Sequence, residues 1–331
     1  MHVAVIGAGS WGTTVASIVA RSTSVTLWAR RPELADHITN EHRNPDYLPD
    51  HELHPDLVAT ADLGEALDGA DAVLVGVPTH AFRDTLEDLR EHVTPGVPIV
   101  SLSKGLERGT HLRMSQIAAE VLPGHPVGAL AGPNLAKEVL DGYAAAAVIA
   151  MDDRAVADQL QDVLRSRLFR VYVGDDVCGV EVAGACKNVI AIAAGMADGL
   201  GTGDNTRALC ITRGVAELTR LGMALGGEAR TFNGLAGMGD IMATCISPQS
   251  RNRTVGYQIG QGKTIDEVIE GMNQVAEGVR TAATVMELAA EHDLELPICF
   301  EVDQVVNHGR TAREAFRGLL RTEPAHEHEA G

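Results

Sequence analysis

A single lysine interrupts one of the most apolar stretches of the chain. Lys187 lies in the segment 181–191 (EVAGACKNVIA), where almost every other residue is small or aliphatic. A helix that is apolar nearly all round is buried, and a buried ammonium is costly unless it is paired or functional. Burial also makes an ammonium a better proton donor, which suits a general acid that protonates a carbonyl oxygen as hydride reaches the carbon. The alternative is a lysine that extends to solvent, but the apolar neighbours on both sides favour catalysis.

Asp240 is a carboxylate that could accompany this lysine. It follows a glycine-rich turn and opens an apolar run in the segment 233–245 (NGLAGMGDIMATC). An aspartate in this position can cap a helix, or it can pair with Lys187 and hold it in place. The two roles are compatible, and the sequence leaves both open.

Two arginines and two polar residues are packed together at 250–253 (SRNR). Guanidinium groups bind phosphate oxygens bidentately, so this segment predicts a phosphate site. A charged surface turn explains the spacing almost as well. The phosphate interpretation also supplies a local positive field, which a chain with a formal net charge of −18 otherwise lacks.

The first predicted strand runs directly into a glycine-rich turn. Gly7, Gly9 and Gly12 fit the pattern G-x-G-x-x-G in the segment GAGSWG. In a strand–turn–helix context these glycines allow a tight turn, the approach of a pyrophosphate to the backbone, and close packing of helix on strand. The helix N-terminus adds free N–H groups and a partial positive charge. The turn therefore predicts a dinucleotide-binding Rossmann domain.

Two arginines follow the second predicted strand, where a dinucleotide-binding domain contacts the adenosine ribose. An NAD-specific site carries an acidic residue there, whereas this chain has Arg30 and Arg31. Guanidinium groups would bind a 2′-phosphate that a carboxylate would repel. We therefore predict a preference for NADP(H), with use of NAD(H) also possible.

Further polar residues follow later strands at the carboxyl edge of the predicted sheet, where ligands of such sheets bind. Lys104 lies in a loop just after the fifth strand, and Gly132 and Asn134 lie in a loop after the sixth. Their position on this edge favours a functional role over solvated loop residues. Glu277, in the segment VAEGV, is a weaker candidate that could accept a hydrogen bond from a ribose hydroxyl or an amide.

The elements that must position these residues change character near the middle of the chain. Apolar strand-like runs alternate with helical patterns up to Gly174, and only helical spacing follows. The pattern predicts an α/β Rossmann domain with a doubly wound, mainly parallel sheet over residues 1–174. An all-helical substrate and catalytic domain is expected over 175–320, with a disordered tail over 321–331.

Composition limits the classes of partner. The strongly acidic chain argues against nucleic acid and anionic membranes, and its 331 residues favour two domains. Five cysteines without a C-x-x-C pair indicate reduced thiols in the cytoplasm. We expect no signal peptide, no segment long enough to span a bilayer, and no metal site, because the paired histidines lack further ligands at metal-site spacing.

These motifs together resemble the bacterial type of NAD(P)-dependent sn-glycerol-3-phosphate dehydrogenase. The resemblance spans nearly the whole chain and rests on the order of eight segments: GAGSWGT, NPDYLP, SLSKGLE, AGPNLAKEV, GACKNVIAIAAG, GLAGMGDIMATC, SRNR and VAEGVRTA. The family reduces dihydroxyacetone phosphate reversibly to sn-glycerol 3-phosphate for phospholipid synthesis. The resemblance also implies a homodimer formed through the helical domain.

The resemblance implies a role for each matching residue. Lys187 would be the catalytic acid/base. The substrate would contact Lys104, Gly132, Asn134, Lys187, Asn188, Asp240, Thr244, Ser250, Arg251 and Asn252. The dinucleotide would contact Gly7, Gly9, Ser10, Trp11, Gly12, Arg30, Arg31, Tyr47, Lys104, Ala136, Arg251, Val275 and Glu277. The chain departs from the family at Asn134, where serine or threonine is usual.

Two other interpretations remain. A ketopantoate reductase or β-hydroxyacid dehydrogenase would combine a Rossmann domain with helices but would act on a carboxylate without a phosphate. A non-catalytic NADP(H) sensor would keep the dinucleotide site without needing Lys104, Lys187 and Asp240.

Overall fold

The computed structural model describes residues 1–272 and 276–320, which divide into two compact units. The first unit comprises Met1–Glu107 and Leu112–Val177, and the second comprises Arg108–His111 and the chain from Cys178 onward. The predicted domain boundary after residue 174 lies just before this division. The sequence did not predict that the short segment Arg108–His111 belongs with the second unit, where His111 Nε2 lies 2.8 Å from Glu287 Oε2. The predicted tail 321–331 lies outside the described residues.

An eight-stranded sheet forms the centre of the first unit. Its strands are β1 (His2–Ile6), β2 (Ser24–Trp28), β3 (Val58–Thr60), β4 (Ala72–Val75), β5 (Ile99–Ser101), β6 (Val127–Ala131), β7 (Ala145–Met151) and β8 (Phe169–Gly174). They lie in the order β3-β2-β1-β4-β5-β6-β7-β8, and every neighbouring pair is parallel except β6 with β7. The doubly wound, mainly parallel sheet predicted from the sequence is confirmed.

Helices of the first unit cover both faces of this sheet. They are α1 (Ser10–Val19), α2 (Pro32–Glu41), α3 (Leu63–Leu67), α4 (Phe82–Leu89), α5 (Met114–Val121), α6 (Ala136–Leu140) and α7 (Arg154–Leu164). Alternate residues of β1 enter different cores: Val3 and Val5 join one apolar cluster, and Ala4 and Ile6 join the other. A strand that is buried on both faces explains the continuous apolar run at the start of the sequence.

The regular secondary structure of the second unit is helical throughout its described residues. Its helices are α8 (Val177–Leu200), α9 (Asp204–Ala224), α10 (Ala229–Phe232), α11 (Asp240–Ile246), α12 (Arg251–Gly260), α13 (Ile265–Glu270), α14 (Glu277–Glu291), α15 (Pro297–His308) and α16 (Ala312–Leu319). A π-helical segment, Leu235–Gly239, leads into α11. The predicted all-helical fold of this region is confirmed.

Helix α8 corrects one expectation from the sequence. It is long and apolar enough to cross a membrane by length and composition, whereas we expected no such segment. However, 89% of its most apolar window is buried inside the protein. Its apolar character therefore reflects contact with other protein elements on all sides, as expected for a core helix.

Backbone contacts between glycines join α8 to α12. A Cβ added at Gly195 of α8 would lie 2.1 Å from the Arg253 carbonyl oxygen, and one at Gly256 of α12 would lie 2.0 Å from the Ile192 carbonyl oxygen. Gly199 and Gly260 meet one turn further along both helices. The contacts advance together in the two sequences, so the helices run in the same direction at a separation that no other residue type allows.

This close contact predicts a large cost for adding one methyl group. We expect Gly256→Ala to lower the thermal midpoint by roughly 3 to 10 °C, because overpacking costs about 1–3 kcal/mol. Gly271→Ala is the matched control, since its new Cβ would come no closer than 3.6 Å to another atom. Calorimetry of both variants checks the expectation, and equal midpoints would show that α8 and α12 separate without cost.

Candidate active site

The glycine-rich turn has the geometry that a bound pyrophosphate requires. Gly7 has φ +112°, and its Cβ would lie 2.8 Å from the Gly76 carbonyl oxygen. A Cβ on Gly12 would lie 2.0 Å from the Gly7 carbonyl oxygen. A Cβ on Gly9 would meet no atom within 4 Å. Gly7 and Gly12 are therefore needed for packing, while Gly9 leaves space in which a ligand can approach the backbone.

The N-terminus of α1 is chemically suited to phosphate oxygens. Its N-cap residue, Gly9, has no side chain to bond the first N–H groups, and the first turn carries no acidic residue. The first four N–H groups of a helix have no partner within the helix. Ser10 and Trp11 begin this turn, and Trp11 Nε1 is buried without a hydrogen-bond partner in the described part of the chain. The turn therefore fits a dinucleotide phosphate.

The carboxyl end of β2 lies beside this turn. The Gly7 backbone N–H donates to the Trp28 carbonyl oxygen at 3.1 Å, and Arg30 and Arg31 follow as exposed residues. Arg31 forms an ion pair with Asp46. Tyr47, the next residue, packs with Trp11 against the same apolar cluster. The structure thus brings the two predicted arginines and Tyr47 to the predicted dinucleotide edge.

Lys104 and Asn134 meet at the ends of β5 and β6. Lys104 Nζ donates to the Gly132 carbonyl oxygen at 3.2 Å and to Asn134 Oδ1 at 3.0 Å. Gly132 has φ +150°, and its Cβ would lie 2.6 Å from the Ala146 carbonyl oxygen. Asn134 Nδ2 is buried without an acceptor among the described residues, which leaves a donor for a ligand. Ala136 begins α6 in the same loop.

Lys187 is buried in the second unit and is paired. It is 6% exposed, and its Nζ lies 2.5 Å from Asp240 Oδ1 and 2.6 Å from Thr244 Oγ1. Asp240 is 2% exposed and begins α11, so the helix that follows the π-helical segment delivers the counter-charge. The predicted pairing of Lys187 with Asp240 is confirmed, and the N-cap position itself belongs to Gly239.

The Lys187 ammonium has one donor more than these contacts use. An ammonium carries three N–H donors, and Asp240 and Thr244 are its partners among residues 1–272 and 276–320. Thr244 Oγ1 donates in turn to the Asp240 carbonyl oxygen at 2.6 Å, so it accepts from the lysine. The third N–H is therefore available to a ligand oxygen.

The surroundings of Lys187 disfavour charge, as its thiol neighbours show. Burial raises the pKa of the Cys186 thiol to about 12. Burial also raises the pKa of the Cys245 thiol, on the residue that follows Thr244. An ammonium in this environment depends on the Asp240 carboxylate for its stability.

The predicted phosphate residues lie at the start of α12. Ser250 caps the helix, since its Oγ accepts from the Arg253 backbone N–H at 3.2 Å. Arg251 and Asn252 form its first turn. Asn252 is 8% exposed, and its Oδ1 accepts from the Gly278 backbone N–H at 2.9 Å, which leaves the amide nitrogen as its donating end. An uncharged cap, two donors and a helix N-terminus fit an anion.

Gly278 contacts both this predicted anion site and α8, the helix that carries Lys187. A Cβ on Gly278 would lie 2.6 Å from the Asn188 carbonyl oxygen and 2.8 Å from Asn252 Oδ1. Gly278 therefore packs between Asn188, the residue after Lys187, and Asn252 of the anion site. Glu277 precedes Gly278 as the first residue of α14, whereas Val275 lies outside the described residues.

Several residues that shape the site have no signal in the sequence. Arg253 of the predicted phosphate segment instead pairs with Asp198 of α8, at 2.7 Å between Nη2 and Oδ2. Asn44 and Asp46 of the NPDYLP segment contact the dinucleotide turn and Arg31. The only available signal for these residues is that they lie in segments that match motifs of the family. Among residues 1–272 and 276–320, no three His, Cys, Asp or Glu residues are grouped as metal ligands.

Comparison with known proteins matches nearly the whole chain to one family of dehydrogenases. The family model described as the NAD-dependent glycerol-3-phosphate dehydrogenase N-terminus matches residues 2–157, and the model of its C-terminus matches residues 176–317. A glycerol-3-phosphate dehydrogenase [NAD(P)+] of Mycobacterium avium is 57% identical over 98% of this chain and 96% of its own length. One from Sphingopyxis alaskensis is 52% identical over 97% of both chains.

A solved structure shows the same architecture. The crystal structure of a glycerol-3-phosphate dehydrogenase from Coxiella burnetii has a TM-score of 0.91 to this chain at 35% identity. The match covers 97% of this chain and 98% of the other. The similarity therefore extends over both units.

Proposed function

The chain belongs to the NAD-dependent glycerol-3-phosphate dehydrogenase family, and we propose from this premise how its own residues carry out the reaction. The enzyme reduces dihydroxyacetone phosphate reversibly to sn-glycerol 3-phosphate with NAD(H) or NADP(H). Family membership excludes the ketopantoate reductase, β-hydroxyacid dehydrogenase and sensor interpretations. The observation that carries the mechanism is the buried Lys187 ammonium with its remaining N–H.

In the proposed mechanism, Lys187 protonates the substrate carbonyl. The dinucleotide, when bound, would supply the hydride for the carbonyl carbon. The third N–H of Lys187 donates to the carbonyl oxygen and transfers its proton there as the alkoxide forms, which leaves a neutral amine. Asp240 and Thr244 hold the nitrogen in place throughout. In the reverse direction the neutral amine accepts the hydroxyl proton.

The substrate phosphate binds, in this proposal, at the start of α12. Arg251 supplies a guanidinium, and the amide nitrogen of Asn252 supplies a donor whose orientation is fixed by Gly278. The parallel packing of α8 and α12 keeps this anchor at a constant distance from Lys187, which supports assigning both to one substrate. Ser250 acts through the helix as its cap.

We assign Lys104 and Asn134 of the first unit as further polar contacts of the substrate. Lys104 is held by Gly132 and Asn134, so its ammonium can polarise a substrate oxygen from a fixed position. The buried Nδ2 of Asn134 supplies a second donor. We assign to Asn134 the hydrogen bond that serine or threonine makes in the family.

The dinucleotide site is assigned residue by residue from the matching motifs. Gly7, Gly9, Ser10, Trp11 and Gly12 would hold the pyrophosphate. Arg30 and Arg31 would contact the 2′-substituent, and this pair supports a preference for NADP(H). The proposed set is completed by Tyr47, Lys104, Ala136, Arg251, Val275 and Glu277.

We propose a cytoplasmic homodimer formed through the helical unit, which supplies glycerol 3-phosphate for glycerophospholipids. Exposed apolar residues of that unit support such an interface, among them Leu209, Met242 and Ile246, whose exposed fractions are 60%, 45% and 52%.

Loss of the proposed proton donor should lower turnover. We expect Lys187→Ala to reduce kcat for dihydroxyacetone phosphate by about two to four orders of magnitude, the usual contribution of a general acid. Cofactor affinity should barely change. Lys263→Ala is the matched control, since Lys263 is exposed and contacts Gln258. Steady-state kinetics test this role, and a kcat reduced less than tenfold would remove Lys187 from proton transfer.

Loss of the proposed phosphate anchor should act on substrate binding. We expect Arg251→Ala to raise KM for dihydroxyacetone phosphate by roughly 10- to 100-fold, with a smaller change in kcat, because a charge-assisted hydrogen bond contributes about 1.5–3 kcal/mol. Inorganic phosphate should compete with substrate in the unmodified enzyme and less well in the variant. Arg313→Ala, which removes an exposed arginine of α16, is the control. An unchanged KM would contradict the assignment.

The arginine pair predicts a shift in cofactor use when its charge is removed. We expect replacement of Arg30 by Asp together with Arg31 by Ala to lower the ratio of kcat/KM for NADPH to that for NADH by at least tenfold, because a carboxylate repels a 2′-phosphate. Paired assays with both cofactors at saturating dihydroxyacetone phosphate measure the ratio. A constant ratio would separate these arginines from the 2′-substituent.

A further inference from the structure

One of the two arginines at the end of β2 is already partnered. Arg31 forms an ion pair with Asp46, while Arg30 has no hydrogen-bond or ion-pair partner among the described residues. Both members of the pair are partly exposed, with exposed side-chain fractions of 54% for Arg31 and 40% for Asp46. The two predicted arginines therefore differ in their contacts.

Asp46 is held in position by the loop that carries it. Asn44 is fully buried, and its Nδ2 donates to the Ala8 carbonyl oxygen at 3.0 Å and to Thr13 Oγ1 at 2.9 Å. The Tyr47 backbone N–H donates to Asn44 Oδ1 at 3.2 Å, and the Leu48 backbone N–H donates to the Asn44 backbone carbonyl oxygen at 2.9 Å. The loop 44–48 is thus fastened to the same turn whose Gly9 leaves room for the pyrophosphate.

These contacts and the ion pair with Arg31 bring a carboxylate to the end of β2, the region in which NAD-specific Rossmann sites carry one. In those sites the acidic residue comes from the end of β2 and accepts from the ribose hydroxyls. Here the end of β2 carries arginines, and the carboxylate comes instead from a loop that follows α2. A carboxylate accepts from a 2′-hydroxyl, but it repels a 2′-phosphate that carries about two negative charges.

We propose that Asp46 sets the balance between the two cofactors in this enzyme, by neutralising Arg31 and by presenting an acceptor to the unphosphorylated ribose. This inference rests on the proposed dinucleotide site and adds a specificity residue to it. Arg30 favours the 2′-phosphate, while the Arg31–Asp46 pair retains use of NADH. Because exposed ion pairs contribute little to folding stability, the pair acts chiefly on discrimination.

Asp46→Asn tests the proposal because it removes the charge and keeps the side-chain shape. We expect the ratio of kcat/KM for NADPH to that for NADH to rise about tenfold. Asp50→Asn is the matched control: it makes the same charge change at an exposed position a few residues away. Its ratio should stay within twofold of the unmodified enzyme.

Binding measurements provide a readout that does not depend on turnover. The chain has two tryptophans: Trp11 in the first turn of α1, at the proposed pyrophosphate site, and Trp28 at the end of β2, two residues before Arg30. Quenching of intrinsic fluorescence therefore reports cofactor dissociation constants. Asp46→Asn should lower the dissociation constant for NADPH and raise that for NADH. In an Arg31→Ala background the same substitution should change the NADPH constant less, because the arginine that it releases is absent.

The outcomes separate this inference from the proposed function. An unchanged ratio in Asp46→Asn, or a ratio that moves toward NADH, would overturn the role of Asp46 even if dihydroxyacetone phosphate is reduced normally. Failure of the unmodified enzyme to reduce dihydroxyacetone phosphate would instead overturn the assignment of the catalytic residues, and the fluorescence titrations would still decide the role of Asp46.

Discussion

The charge on Lys187 is the constraint that organises the second unit. An ammonium inside an apolar helix loses its hydration, and removing one partner of a buried ion pair typically costs about 3–5 kcal/mol. The counter-charge must come from another helix, and Asp240 provides it at the start of α11. The preceding turn has to be compact to deliver it, since a Cβ on Gly237 would lie 2.2 Å from the Phe232 carbonyl oxygen. The glycine-rich segment before Asp240 is thus a requirement of the ion pair.

The same reasoning extends from the lysine to the anion site. Glycines within helices cost about 1 kcal/mol each in helix propensity, yet α8 and α12 each place two of them at their mutual contact. These glycines allow the two helices to pack backbone against backbone. Asp198 of α8 also forms an ion pair with Arg253 of α12. A rigid pair of parallel helices therefore defines the separation between the proposed proton donor and the proposed anion anchor. In this proposal, such a separation would discriminate substrates by length as well as by charge.

The sequence predicts those features whose cause is local. Lys187 is recognised because its neighbours in sequence are apolar, and the dinucleotide turn is recognised because three glycines stand at fixed spacing. The fold class follows from strand and helix periodicity, as the sheet confirms. Features that depend on partners remote in sequence carry no such signal. The contact of Asn44 with Thr13, the pairing of Arg31 with Asp46, and the glycine contacts of α8 with α12 each join residues that periodicity treats separately.

The chain is strongly acidic, yet its ligands are anions. Screening of distant charges explains how the two are compatible. Exposed charges further apart than the Debye length of about 8 Å are largely screened at physiological ionic strength, so the net charge of −18 matters less than the groups at each site. Two arginines near the proposed sites are already neutralised, Arg31 by Asp46 and Arg253 by Asp198. The starts of α1 and α12 need no such balance, because their partial positive charge comes from backbone dipoles. In the proposed assignment, an acidic protein would therefore bind two phosphorylated ligands because helix N-termini supply much of the attraction, and a few guanidinium groups would decide between ligands.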